Sequence, residues 1–379
     1  MTQPTVGVYV HIPFCVKKCG YCDFNAYSGY RDATKARYVD ALCREIEGRS
    51  EARTRVATVF FGGGTPTTLA AGDLARVLDT VRRSFAVDPE AEISLEANPS
   101  DATLAYLSCL RGSGFNRISF GVQTFDDRLL KTIDRVHNAE DARQAVALAK
   151  QAGFDNLSID LMFGLPRQTL ADWDRSLEAA FALVVPHLSM YGLIVEEGTA
   201  FWARRERGKL SLPSEKTEAA MFGHALERAA AAGYHRYEVS NYALPGFESR
   251  HNQIYWRNED YFGFGAGAAS YRGGIRSMNE RLPGRYADTV AEHGTATVER
   301  EALTPEEAMG ETMMVGLRLA EGIDLLAFER RFGVRAEDRY APQIADLRQA
   351  GLLEQSSDRL SLTQRGLFLA SEVMIRFLA

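Results

Sequence analysis

The sequence predicts an α/β protein, with six βα units in series followed by a mostly helical, winged-helix-like terminal module. Three observations predict it. Short segments rich in Val, Ile, Leu, Phe and Tyr recur through the first two-thirds of the chain. Several read as nearly continuous apolar runs, the pattern of strands covered on both faces. Amphipathic stretches of helical length alternate with them, and beyond about residue 235 the pattern changes, ending in helices and one hairpin.

The strand candidates are Val6–His11, Val56–Phe61, Glu92–Ala97, Arg117–Val122, Leu157–Met162 and His187–Leu193. Helical stretches lie near 32–50, 72–86, 101–113, 138–152, 169–183 and 214–232. Asp73, Asp101 and Asn138 are read as N-caps, and Gly114 and Gly153 as left-handed helix ends. Six such units imply a parallel sheet with right-handed crossovers, either open and doubly wound or an incomplete (β/α) barrel. In both, loops at the C-terminal ends of the strands carry the site.

Tyr234–Tyr242 reads as one more strand, and 271–303 as a connection. Helices near 305–320, 324–332 and 338–350, a hairpin with Ser356–Asp358 at its tip and a last helix make the terminal module. The expected divisions are 1–235, 236–303 and 304–379.

Lys plus Arg is 44 and Asp plus Glu is 50, a net charge of −6. A mildly acidic chain without a basic run is a poor ligand for a phosphate backbone, so no nucleic acid is expected, even for a winged-helix-like module. No apolar stretch is long enough to cross a bilayer. The start lacks the basic and apolar regions of an export signal. A cytoplasmic protein with at most peripheral membrane contact is expected.

Five cysteines, an odd number, speak against a disulfide framework. Cys43 and Cys109 lie in helical stretches and are read as small buried residues. Cys15, Cys19 and Cys22 form C-x3-C-x2-C directly after the first strand. Close thiolates suit zinc or an iron–sulfur cluster. A structural zinc wants four ligands, and only His11 offers itself nearby. Three ligands on a four-iron cluster leave one iron open, which explains the count better. The other histidines, apart from His251, show no spacing that demands a metal. FGGGTPT (61–67) follows the second strand, and its glycines suit close backbone approach to a ligand's amino group. In HNQIYW (251–256), the imidazole of His251 is chemically suited to bind iron, and Tyr255 and Trp256 present flat aromatic faces beside it. The same string also reads as a hydrogen-bonded core corner.

YVHIPFCVKKCGYCDF and the glycine motif together resemble the radical S-adenosylmethionine (SAM) superfamily. SLEANPS (94–100), RISFGVQTF (117–125), DRVH (134–137), DLMFGLPRQT (160–169), EVSNYA (238–243), HNQIYW, GAGAAS (265–270) and MMVGLRL (313–319) extend the resemblance to the HemN/HemW group. It implies an incomplete (β/α)6 barrel with a C-terminal HemN-type module. It also implies a [4Fe-4S] cluster on Cys15, Cys19 and Cys22, whose open iron chelates SAM for one-electron cleavage to a 5′-deoxyadenosyl radical. Tyr9 and Tyr21 would flank the cluster near SAM, and Gly63, Gly64 and Thr65 would line its methionine. Glu96, Gln123, Arg135 and Asp160 match positions that contact SAM. Carboxylates suit ribose and ammonium, and an Arg fork suits a carboxylate.

Two departures separate the branches of the group. The porphyrinogen dehydrogenases continue to a fourth cysteine where this chain has Phe24, and they carry an N-terminal extension for which there is no room before Tyr9. The resemblance therefore runs to the HemW branch. It implies a haem-binding chaperone, with His251 as ligand, that hands haem to apo-haemoproteins, respiratory ones among them. An electron donor would serve the cluster. The alternative is a radical enzyme acting on a tetrapyrrole.

Overall fold

The computed structural model describes residues 5–378. Strands β1 (Val6–Ile12), β2 (Glu51–Gly63), β3 (Phe85–Ala97), β4 (Arg117–Gln123), β5 (Asn156–Phe163) and β6 (His187–Gly192) pair in sequence order, all parallel. The crossovers are helices α1 (Asp32–Gly48), α2 (Ala71–Ser84), α3 (Leu104–Gly112), α4 (Ala139–Gln151) and α5 (Leu170–Ala182), and α6 (Glu215–Ala231) follows β6. Outward apolar residues of the strands meet these helices in one large core that includes Val8, Val59, Ile93, Phe120, Leu161 and Trp173. The twelve strands of the sheet run in a linear order whose two ends do not pair. The barrel is therefore incomplete, as the resemblance implied and as one of the two architectures left open by the six βα units.

Asn138 caps α4 through a full capping box with Asp141, and Gly114 and Gly153 take left-handed φ after α3 and α4. Two other caps fall elsewhere. The helix read from 72 starts at Ala71 with Ala70 as N-cap, which leaves Asp73 in the first turn beside the helix dipole. Thr103, rather than Asp101, caps α3, because Asp101 ends a separate 3-10 turn after Asn98. Cys43 is buried, but Cys109 is exposed, since only Leu107 and Leu110 of that short helix face inward.

The segment read as a strand over Tyr234–Tyr242 is two fragments, β7 (His235–Arg236) and β8 (Asn241–Ala243), broken by a turn at Glu238. The chain read as a connection over 271–303 carries structure. After α7 (Arg250–Trp256) come β9 (Tyr261–Phe264), parallel to β1, and the antiparallel β10 (Ala269–Arg272), β11 (Ile275–Asn279) and β12 (Thr297–Ala302). They continue the barrel sheet outward, with helix Pro283–His293 between the last two.

The terminal module has its own core, including Met313, Leu317, Phe328, Tyr340, Leu360 and Phe377. Its three-stranded sheet (Ile323–Asp324, Leu353–Ser356, Arg359–Leu362) packs with short helices, a winged-helix-like arrangement. Arg318 joins it to the barrel, with its guanidinium on the fully buried Glu238 and over the Trp256 ring.

Candidate functional site

Alternation along each strand sends one set of side chains into the barrel. From β4 these are Arg117, Ser119, Gly121 and Gln123; from β5, Ser158, Asp160 and Met162; from β6, His187, Ser189 and Tyr191. Together with the loop after β1 they line one cavity of ≈ 480 Å³ that runs from that loop down into the barrel. Cys15, Cys19, Cys22, Tyr21, Gly64, Thr65, Glu96, Gln123, Arg135 and Asp160 all line it. Tyr9, Gly63 and His251 lie behind its wall.

Residues 14–22 form a loop whose thiols are half-buried at the cavity mouth. Burial pushes the Cys22 thiol up to about 11 and raises Cys15 as well. Iron would reverse this, because a coordinated thiol is deprotonated outright. Donors already face two of the sulfurs. The Thr65 hydroxyl lies 3.6 Å from Cys15 Sγ, and Arg135 Nη1 lies 3.7 Å from Cys19 Sγ. Among the described residues, no three His, Cys, Asp or Glu side chains converge on a single-ion site.

The loop is held from below. Tyr38 donates to the His11 carbonyl at 2.8 Å. The Nε2 of His11 faces the Asn25 carbonyl at 2.9 Å, and a carbonyl can only accept, so Nε2 carries the proton. Nδ1 then accepts from the Tyr9 hydroxyl at 2.9 Å. Burial lowers the His11 pKa and favours this neutral ring. Tyr9 thus positions His11 and the loop from behind the cavity wall. Asn25 also donates to the carbonyls of Ala266 and Arg281, which ties the loop to the GAGAAS turn.

The glycines at the end of β2 also make a close contact within the protein. A Cβ on Gly64 would sit 2.7 Å from the Phe14 carbonyl oxygen and 3.0 Å from that of Ile12. One on Gly63 would run into the His11 ring. The N–H groups of Gly64 and Thr65 donate to Ile12 and Phe14. The glycines bring the turn against the backbone of the thiol loop, and Gly64 lines the cavity as well.

Glu96 and Asp160 face the cavity from β3 and β5. Burial, reinforced by the neighbouring Asp160 charge and opposed by the Gly63 N–H, raises Glu96 to about 7. Burial also raises Asp160 against hydroxyl donation from Ser119. Neither carboxylate has a cation partner among the described residues. Arg135 lies across the cavity with its Nε buried and unpartnered. A zwitterionic ligand with an ammonium, hydroxyls and a carboxylate complements this set, and three thiols with donors at two sulfurs suit an iron–sulfur cluster. The residues therefore fit both groups.

His251 stands apart. It is fully buried on α7, with Nδ1 2.7 Å from the Thr58 hydroxyl, Nε2 2.9 Å from the Tyr255 hydroxyl and its ring stacked on Phe60. Burial lowers its pKa to about 3. Both nitrogens are occupied, so in this conformation the motif is a hydrogen-bonded core corner, and Thr58 and Tyr255 stand where iron would bind. Trp256 carries Arg318 rather than a macrocycle.

Sequence reasoning took Gln123 from β4 but passed over Arg117 and Ser119, which share its inward face, and it missed Ser158, Ser189 and Asn252. Applying the two-residue period to RISFGVQ would have found the first two.

Residues 9–180 match the radical SAM superfamily, and residues 303–369 match the HemN C-terminal domain. The chain is 40% identical to "Heme chaperone HemW" of Bacillus subtilis over 375 residues, covering 98% of this chain and 99% of that one. It is 34% identical to the Escherichia coli protein of the same name, over 99% of each chain. A Danio rerio protein named "Radical S-adenosyl methionine domain-containing protein 1, mitochondrial" is 35% identical, over 84% of this chain and 73% of that one. Among solved structures, coproporphyrinogen III oxidase (HemN) from Escherichia coli, described as a radical SAM enzyme, superposes with a TM-score of 0.86. Identity there is 27%, over 98% of this chain and 90% of that one.

Proposed function

Since this chain belongs to the HemW family of the radical SAM superfamily, we propose that it is a haem-binding chaperone carrying a [4Fe-4S] cluster and SAM. One observation carries the cofactor half of the reading: three thiols, Arg135 and two half-buried carboxylates without a cation partner among the described residues converge on a single cavity.

In this reading Cys15, Cys19 and Cys22 hold the cluster, and Thr65 and Arg135 donate to the Sγ atoms of Cys15 and Cys19. Glu96 and Asp160 take ammonium and ribose hydroxyls, Arg135 Nε takes the carboxylate, and Gln123, fixed by the Tyr191 hydroxyl at 3.0 Å, orients the base. Tyr21 shields the cluster from water. When bound, cluster and SAM supply one-electron chemistry. The residues around them position and desolvate.

The haem half is supported by the names of the relatives and by Phe24, an exposed phenyl in place of a fourth thiol. Haem, apo-haemoproteins that receive it and an electron donor for the cluster are the proposed partners. His251 as iron ligand requires its ring to give up the Thr58 or the Tyr255 hydroxyl. No helix among the described residues is long and apolar enough to cross a membrane.

The test is an anaerobic haem titration of the reconstituted protein, read at the Soret band. A saturable stoichiometric complex is expected. Binding no tighter than to an unrelated protein overturns the chaperone reading. The likeness to coproporphyrinogen III oxidase favours the second reading, a radical enzyme acting on a tetrapyrrole. Turnover of coproporphyrinogen with SAM and a reductant would establish it.

A further inference from the structure

Below the SAM-binding residues the cavity continues to a floor that nothing proposed so far occupies. Arg117 opens β4 there and is only 3% exposed. Its Nη1 donates to the Asn156 side chain and the Phe247 carbonyl, and no other hydrogen bond and no ion pair with a carboxylate holds it among the described residues. A buried guanidinium without a counter-charge is costly, because solvation has been removed and nothing replaces it.

The nearby carboxylates are engaged elsewhere. Glu92 accepts from the backbone N–H groups of Arg250 and His251, and Asp160 accepts from Ser119. The floor hydroxyls are taken too: Ser158 by His187, and Ser189 by Asn241. Asn252, the second residue of the HNQIYW string, also lines the cavity, and its side-chain amide has no partner among the described residues. Among the described residues the floor therefore presents unused donors, Nε and Nη2 of Arg117 from β4 and the Asn252 amide from α7.

We propose that Arg117 and Asn252 form a second binding site on the barrel floor, one that takes the carboxylate of an organic anion. A fork of N–H donors matches the two oxygens of a carboxylate, and the amide adds a donor to either. The carboxylate arrives as a free small acid or as the propionate arm of a tetrapyrrole that enters through the mouth. The floor site stands on Arg117 and Asn252 alone and does not depend on haem binding.

The experiment measures the thermal midpoint of the cluster-loaded protein against sodium propionate at constant ionic strength, with chloride as the balancing and control anion. A saturable rise with propionate and none with chloride is expected. The apparent affinity should fall about tenfold or more in Arg117→Gln, as for loss of a charge-assisted contact. Asn252→Ala removes a side chain with no partner in the fold, so it keeps the test open if Arg117→Gln does not fold; it too should weaken the response. The proposal is overturned if no saturable rise occurs, if chloride matches propionate, or if Asn252→Ala and a folded Arg117→Gln respond as wild type does.

Haem titration with and without saturating propionate, beside haem dimethyl ester, distinguishes the sources. Competition together with weaker binding of the ester assigns the site to a tetrapyrrole arm. Haem binding indifferent to both assigns it to a free acid.

Discussion

Glu96 accepts a hydrogen bond from the Gly63 N–H at 3.1 Å, so one carboxylate on β3 fastens the glycine turn of β2. The same turn is stitched to the thiol loop through Gly64 and Thr65. Two successive βα loops and the end of β3 thus form one unit, and a change in any of them is transmitted to the cavity mouth.

Glu96 gives that unit a pH dependence in the ligand-free protein. Its folded-state pKa of about 7 exceeds the ordinary 4.5, so the folded state holds a proton that the unfolded chain releases. Stability therefore falls as pH rises from about 4.5 to about 7. Glu96→Gln should flatten that fall, worth at most on the order of 3 kcal/mol. Urea melts of both proteins at pH 5 and pH 8 check it; equal differences between the two proteins at both values would contradict it.

Gly64→Ala places a Cβ against backbone atoms that cannot rotate away. The expected cost is about 1–3 kcal/mol, with iron content and SAM affinity falling together because the thiol loop itself shifts. Iron analysis and calorimetry on the reconstituted variant check this. Lost SAM binding with full iron would show that the glycine serves the ligand directly.

Cys19→Ala should abolish the brown cluster absorbance, while Cys109→Ala, exposed on the rim of α3, should leave iron and sulfide stoichiometry unchanged. A four-iron stoichiometry that survives Cys19→Ala would remove the cluster from this loop.

His251→Ala should lower the urea midpoint, costing about 2–4 kcal/mol, since it opens a cavity and leaves the buried Thr58 and Tyr255 hydroxyls unpaired. The His251 pKa is depressed to about 3 in the fold, against 6.5 outside it. Its contribution is thus complete above about 6.5 and is lost as pH falls from there toward 3. His251→Gln, which keeps hydrogen-bonding groups, should recover part of the stability. If it also recovers haem binding, the residue acts through the core corner and not as iron ligand.

What the sequence showed and what it hid divide along local and distant contacts. The six strands were legible because each carries its own apolar run, and Asn138 because its capping partner is three residues away. Asp73 looked like a cap because propensity cannot tell a cap from the first turn. The break at Glu238 was hidden, since burying that carboxylate needs Arg318 from 80 residues away. Strands β11 and β12 were hidden for the opposite reason: β12 is exposed on nearly every residue, so no apolar pattern marks it. At the site, thiols and glycines announced themselves by spacing. The lumen polar residues did not, because an inward Ser or Arg on a strand looks like an outward one until the pleat is counted.

A sheet that does not close keeps two unpaired margins, and unpaired margins recruit strands from other molecules. One margin here is β12, TVEREA, where Glu299, Arg300 and Glu301 are all exposed. The other is β7, only two residues long. Charge on one side and brevity on the other discourage intermolecular β-pairing. The open barrel is thereby guarded against aggregation at both ends.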